Sequence, residues 1–173
     1  MNTWGTTPGQ MRITEETPFM AKVEYEYIRD WINNHKLKTA LEWGAGSSTL
    51  WFSEQCNVEK WTAIEHDPNY YNFLLPKINS KVDLQLKETE KDYIEVKGSY
   101  DFILIDGMYR DQCLQKAFKR LSSHPQARIF VHDAGRKAYK EWYGGYQHEI
   151  VYPGEGWLGD GWDHRGLAVF PKQ

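Results

Sequence analysis

The chain has 173 residues and a mass of 20.4 kDa, enough for one domain with a buried core and too little for a separate substrate domain. A net charge of −3 supplies no basic field for a nucleic-acid backbone, and no stretch reaches the ~20 apolar residues of a membrane span, so neither partner is expected. The two cysteines, Cys56 and Cys113, show no metal-like pairing, and no basic-then-apolar signal opens the sequence. Free thiols in a cytoplasmic protein are the expectation.

Residues 1–16 are polar and turn-rich. Thr17-Pro18 then reads as an N-cap with proline at the first helical position, and Met20, Val23, Tyr27 and Trp31 follow as one apolar stripe at helical spacing. Thr39 to Trp43 is the first strand. It runs into a glycine turn, Gly44-Ala45-Gly46, and a Ser/Thr helix start leading to Leu50, Trp51 and Phe52. Lys60 to Glu65 is the second strand. Asp67-Pro68 caps the next helix, in which Tyr71, Leu74, Leu75 and Ile78 share a face until Pro76 ends or kinks it. Val82–Leu86, Tyr100–Ile105 and Ala127–His132 are the third to fifth strands. A helix with Leu114, Ala117, Phe118 and Leu121 on one face precedes the last of these.

Strands and helices alternating in this way predict a parallel sheet with right-handed crossovers. The tail departs from the pattern. Two strands, near 147–152 and 165–170, flank a Gly/Trp-rich loop with no helix between them, which reads as an antiparallel hairpin. The expected fold is one α/β, Rossmann-like domain over 1–173. Its mostly parallel seven-stranded sheet ends in that hairpin, with helices on both faces.

A strand, a glycine turn, a helix and an acid ending the next strand (Glu65) make a nucleotide-type site. The glycines let backbone approach the ligand, and the acid accepts from ribose hydroxyls. A nicotinamide fingerprint would place a third glycine where Thr49 stands, and no lysine follows the turn as a phosphate-binding P-loop requires. The form that remains, Glu42-x-Gly44-x-Gly46, resembles motif I of class I S-adenosylmethionine methyltransferases, in which the turn backs onto the methionine part of the cofactor. The terminal hairpin also resembles that class.

In open α/β sheets ligands sit beyond the C-terminal strand ends. Those ends carry Glu42, then Glu65-His66-Asp67, Glu88-Thr89, Asp106-Gly107 and His132-Asp133. Asp67 reads best as a helix cap, and Glu88 and Thr89 as either loop residues or adenine contacts. Asp106, His132 and Asp133 follow strongly apolar strands and so edge the cleft. Methyl transfer to a hydroxyl needs an aligned acceptor and removal of its proton, by a carboxylate or histidine or with a divalent ion held by carboxylates. Asp106 with Asp133 or His132 suits either scheme, and the metal, if there is one, has no local zinc-type motif.

The segments LEWGAGSSTLWF, WTAIEHDPNYY, YDFILIDGMYRDQCLQKAFKRL and ARIFVHDAGRKAYKEWY together resemble the glucuronoxylan 4-O-methyltransferase-like family over about residues 17–143. The segment Val131-His132-Asp133-x-x-Arg136 points to that branch in particular. The resemblance implies O-methylation of a carbohydrate or other small hydroxyl acceptor, with a divalent cation as an optional assistant. It places Glu42, Gly44, Ala45, Gly46, Ser48, Glu65, His66 and Asp106 around S-adenosyl-L-methionine, and Asp106, His132, Asp133 and Arg136 toward the acceptor and the chemistry. The alternatives are a catalytically silent Rossmann-like domain that uses the cleft to recognise a partner or nucleotide, and a nucleotide-dependent oxidoreductase. The oligomeric state leaves no mark in the sequence.

Overall fold

A computed structural model of the chain describes residues 17–135, 141–151 and 166–173. Among them the elements run α1 (Lys22–Asn34), β1 (Thr39–Trp43), α2 (Ser47–Gln55), β2 (Lys60–Glu65), α3 (Pro68–Leu74), β3 (Val82–Leu86), α4 (Glu90–Ile94), β4 (Phe102–Ile105), α5 (Arg110–Phe118), β5 (Arg128–Val131), β6 (Glu149–Val151) and β7 (Leu167–Phe170). The seven strands form one sheet in the order β3-β2-β1-β4-β5-β7-β6. The first five are parallel, and β7 lies antiparallel to both β5 and β6. The expected hairpin therefore inserts its second strand next to β5 and leaves its first at the edge.

Apolar side chains on both faces of each central strand explain why helices cover both sides. Leu41, Trp43, Ile103, Ile105, Ile129, Val131, Ala168 and Phe170 point one way, into a core closed by Tyr93 of α4 and Cys113, Leu114 and Ala117 of α5. Ala40, Phe102, Leu104, Phe130, Leu167 and Val169 point the other way, against Ile28 and Ile32 of α1, Phe52 of α2 and Leu74 of α3. Cys56 and Cys113 lie in opposite cores, both buried and both free thiols. Among the described residues no helix is long and apolar enough to cross a membrane.

Three local expectations need correction. The lead-in helix starts at Lys22, four residues past the Pro18 start signal, because the Glu24 carboxylate accepts from the Ala21 N–H (2.9 Å) and caps the helix there. Its buried face is Glu24, Ile28 and Ile32, while Val23 of the expected stripe is exposed and Tyr27 and Trp31 are only partly covered. On α3 only Leu74 is buried. Pro76 turns the chain into a 3₁₀ turn over Leu75–Lys77, which leaves Leu75 exposed. The short helix α4 lies in a stretch that carried no expected element. Thr89 is its N-cap, accepting from the Asp92 N–H at 3.2 Å, and Glu88 beside it is exposed.

Candidate active site

The chain runs outward from β1 to β3 and then returns to β4 on the other side of β1, so the sheet reverses direction between β1 and β4. Turns leaving opposite faces part at such a point and open a crevice at the C-terminal strand ends. An open cleft of ≈ 440 Å³ lies there. Its walls are the β1–α2 turn (Gly44 to Ser48), the end of β2 (Glu65, His66, Asp67), Tyr70 of α3 and the β4–α5 turn (Asp106, Gly107, Met108), with Phe19 at the mouth.

The two glycine turns meet backbone to backbone. Gly44 sits at φ +94°, and a Cβ there would come within 2.6 Å of the Gly107 Cα. A Cβ on Gly107 would come within 1.9 Å of the Tyr93 hydroxyl and 2.8 Å of the Gly44 nitrogen. Both positions therefore need glycine, Gly44 also for its backbone angle. The Gly44 and Ala45 N–H groups donate to the Ile64 carbonyl (3.0 and 3.1 Å), pinning the first turn to β2. Tyr93 of α4 accepts from the Met108 N–H (3.3 Å) and braces the second.

Glu42 lies beneath the first turn and does not reach the cleft wall. Fully buried, it accepts from the Ser48 hydroxyl (2.5 Å), the Thr49 hydroxyl (2.7 Å) and the Trp61 indole N–H (2.8 Å). Thr49 in turn accepts from the Gly46 N–H at 2.9 Å. The carboxyl thus ties β1, β2 and the start of α2 together from inside. Burial pushes it up to about 7, against the pull of its three donors.

Glu65 and Asp106 do line the cleft. Glu65 accepts from the His66 and Asp67 N–H groups (both 2.8 Å), and both bonds fall on Oε1, with His66 Nδ1 also 3.0 Å from that oxygen. Oε2 is the atom with capacity for a ligand hydroxyl. Burial moves this carboxyl upward, with the two backbone donors opposing. Asp67 caps α3 as expected, accepting from the Asn69 and Tyr70 N–H groups at 2.8 and 3.4 Å.

Asp106, His132 and Asp133 converge, with one ligand-type atom from each lying within 4.8 Å of the others. A divalent ion needs such a set, but this one already holds cations. Arg110 donates to Asp106 Oδ1 (3.0 Å), lies 3.6 Å from Asp133 Oδ2, and donates to the Gly107, His132 and Asp106 carbonyls at 2.8, 2.6 and 3.1 Å. His132 points Nδ1 at Asp106 Oδ1 (2.9 Å) and Nε2 at Glu24 Oε2 (3.5 Å). As arranged, the cluster does not fit a metal ion.

Carboxylates at both ring nitrogens hold His132 as the imidazolium. Burial pulls its pKa down, but Asp106, Glu24 and Asp133 outweigh that and push it up to about 10. Both ring nitrogens thus face carboxylates, an arrangement in which the ring donates on either side. Asp133 adopts the left-handed conformation (φ 59°), uncommon outside glycine, beside the Ala134 carbonyl that accepts from Tyr143 Oη at 2.6 Å.

Arg136 and the Gly/Trp-rich loop at 153–164 lie outside the described residues, as does the segment 1–16. Arg110, Glu24 and Tyr93 went unassigned in the sequence. Arg110 sits four residues after Asp106, the spacing of a helical ion pair, which was the one local signal for it. Glu24 and Tyr93 act over long sequence separations and gave none.

No family model and no curated protein matches the sequence. Solved structures do. An O-methyltransferase from Bacillus cereus in complex with S-adenosylhomocysteine aligns at a TM-score of 0.66 and 14% identity, over 87% of this chain and 80% of that one. A precorrin-6y C5,15-methyltransferase from Geobacter metallireducens aligns at 0.59 and 15% identity (90% and 93% covered). The N-methyltransferase NodS from Bradyrhizobium japonicum aligns at 0.53 and 16% identity (87% and 98% covered). The fold is that of the class I, Rossmann-like methyltransferases. These structures support the fold and not the glucuronoxylan branch in particular. Oxygen, nitrogen and carbon methyltransferases share this architecture, so the fold leaves the acceptor atom open.

Proposed function

We propose that the chain is an S-adenosyl-L-methionine-dependent methyltransferase. The observation that carries the reading is the cleft at the β1/β4 reversal, where two interlocked glycine turns stand between Glu65 and Asp106. In this assignment the Gly44–Ser48 backbone meets the methionine part of the cofactor. Glu65 Oε2 accepts from the ribose, and His66 and Tyr70 flank the adenine side. Asp106 faces the positively charged end.

The charge of the cleft supports this cofactor over a dinucleotide. Its described lining carries three carboxylates (Glu65, Asp67 and Asp106) and no lysine or arginine. A cationic ligand is favoured there, and a pyrophosphate meets no cationic side chain. Bound S-adenosylmethionine supplies the sulfonium methyl group, and the chain's residues align donor and acceptor for in-line displacement. For a hydroxyl acceptor a carboxylate takes the proton, and Asp106 is the member of the polar cluster that reaches the cleft.

The acceptor proposed is a hydroxyl of a carbohydrate or another small molecule, a reading that rests on the Val131-His132-Asp133-x-x-Arg136 segment. Because Arg110 and His132 already neutralise the cluster, the activity proposed is independent of a divalent ion. One observation favours a silent binding domain instead: Asp106, His132 and Asp133 are all engaged with one another and with Arg110.

Calorimetry with S-adenosylhomocysteine tests the cofactor, and methyl incorporation across an acceptor panel, glycans first, separates enzyme from binder. Binding should be micromolar, and Glu65→Ala should weaken it about tenfold, the weight of one hydrogen bond to a charged group. An absence of binding by the wild-type protein sinks the assignment.

A further inference from the structure

Glu24 is a buried carboxylate that belongs to neither the glycine turns nor the cleft wall, yet its bonds reach three separate parts of the chain. Oε1 accepts from the Gly166 N–H at 2.7 Å, where the chain enters β7. Oε2 accepts from the Ala21 N–H at 2.9 Å, at the start of α1, and lies 3.5 Å from His132 Nε2 beyond the end of β5. Across the same ring, Nδ1 meets Asp106 Oδ1 at 2.9 Å, and Asp106 lines the cleft. Glu24 is 1% exposed and His132 7% exposed, so water does not replace these partners.

The order of contacts has a direct physical consequence. An imidazole presents two in-plane nitrogens on opposite sides of one rigid ring, so fixing one side aims the other. With Glu24 on Nε2, the ring is oriented and doubly protonated, and Nδ1–H becomes a charge-assisted donor to Asp106. Without Glu24, His132 would lie in the core with one side unpartnered and would lose its proton more readily.

We propose that Glu24 is a positioning residue of the cofactor cleft. Through His132 it fixes the Asp106 carboxylate, so that docking of the α1 start and of the chain entering β7 is coupled to cofactor binding. The proposal rests on the methyltransferase reading for the identity of the ligand, and on the geometry alone for the coupling. The charged groups facing His132 among the described residues are Glu24 from α1, Asp106 at the end of β4, its neighbour Asp133, and Arg110 from α5, which donates to the His132 carbonyl at 2.6 Å.

The test follows the protonation of His132 by ¹⁵N-detected imidazole NMR across pH, together with S-adenosylhomocysteine calorimetry, on the wild type and three variants. In the wild type both His132 ring nitrogens should remain protonated through about pH 8. In Glu24→Gln the ring should titrate about one pH unit or more lower, and affinity for S-adenosylhomocysteine should fall about tenfold. His132→Gln removes the middle of the chain of contacts, leaves Glu24 its two backbone donors, and should weaken the ligand by a similar factor. Ile32→Ala, a cavity in the same helix, should lower the melting temperature while leaving the His132 titration and the affinity unchanged; a merely structural Glu24 would behave like Ile32.

The coupling is overturned if wild-type His132 titrates near an ordinary imidazole value. It is also overturned if Glu24→Gln moves neither readout, or if Ile32→Ala moves both. Should Glu24→Gln fail to fold, the wild-type titration and His132→Gln decide. Loss of ligand binding in the wild type itself would instead remove the methyltransferase reading, and the His132 titrations would still judge the contact chain.

Discussion

Glu42 gives the sharpest test of how the first glycine turn is held. Its carboxyl has no exposure, and burial raises it from 4.5 to about 7 although Ser48, Thr49 and Trp61 all donate to it. The folded chain therefore holds this proton more tightly than the unfolded chain. The stabilisation is fully present below the unfolded value and is lost as pH rises through about 7. A displacement of that size corresponds to about 3 kcal/mol. Glu42→Gln keeps the shape and removes the titration. Thr49 and Trp61 both donate to one oxygen, which the amide retains, and the Ser48 hydroxyl turns to accept from the new NH₂. Urea unfolding of both proteins at about pH 5 and about pH 8 gives the difference in stability, from which the other titrations cancel. Between those pH values the difference should move by about 2–3 kcal/mol in favour of the glutamine variant, since a small part of the effect is already spent at about pH 5. A difference that stays flat with pH would refute burial as the dominant influence on this carboxyl.

Other perturbations have equally definite outcomes. Gly107→Ala drives a methyl group into the Tyr93 hydroxyl and the Gly44 backbone, and should cost about 2–3 kcal/mol in thermal or urea unfolding. The same variant should weaken S-adenosylhomocysteine in calorimetry, since both turns must shift. Thr89→Ala removes the cap of α4 and should cost about 1 kcal/mol in urea unfolding. A chelator should leave ligand affinity and any methyl transfer unchanged, because Arg110 and His132 already neutralise the only metal-type cluster among the described residues.

Legible in the residues alone was whatever depends on neighbours along the chain. Unbroken apolar runs such as FILI at 102–105 and IFV at 129–131 are satisfied by a sheet covered on both faces, and the glycines after β1 and the acid ending β2 mark the ligand end of that sheet. Asp67 and Pro76 announced the two ends of α3 because capping and proline geometry are local. The partners of the polar groups were decided only by the tertiary structure. Glu42 read as a ligand contact, yet Trp61 from the neighbouring strand draws it inward, and nothing near His132 in the chain announced that Glu24, over a hundred residues earlier, meets its second nitrogen. The start of α1 shifted for the same reason, since Glu24 caps it while also holding Gly166. A carboxylate's role is set by the donors that surround it, and those donors come from segments that only folding brings together.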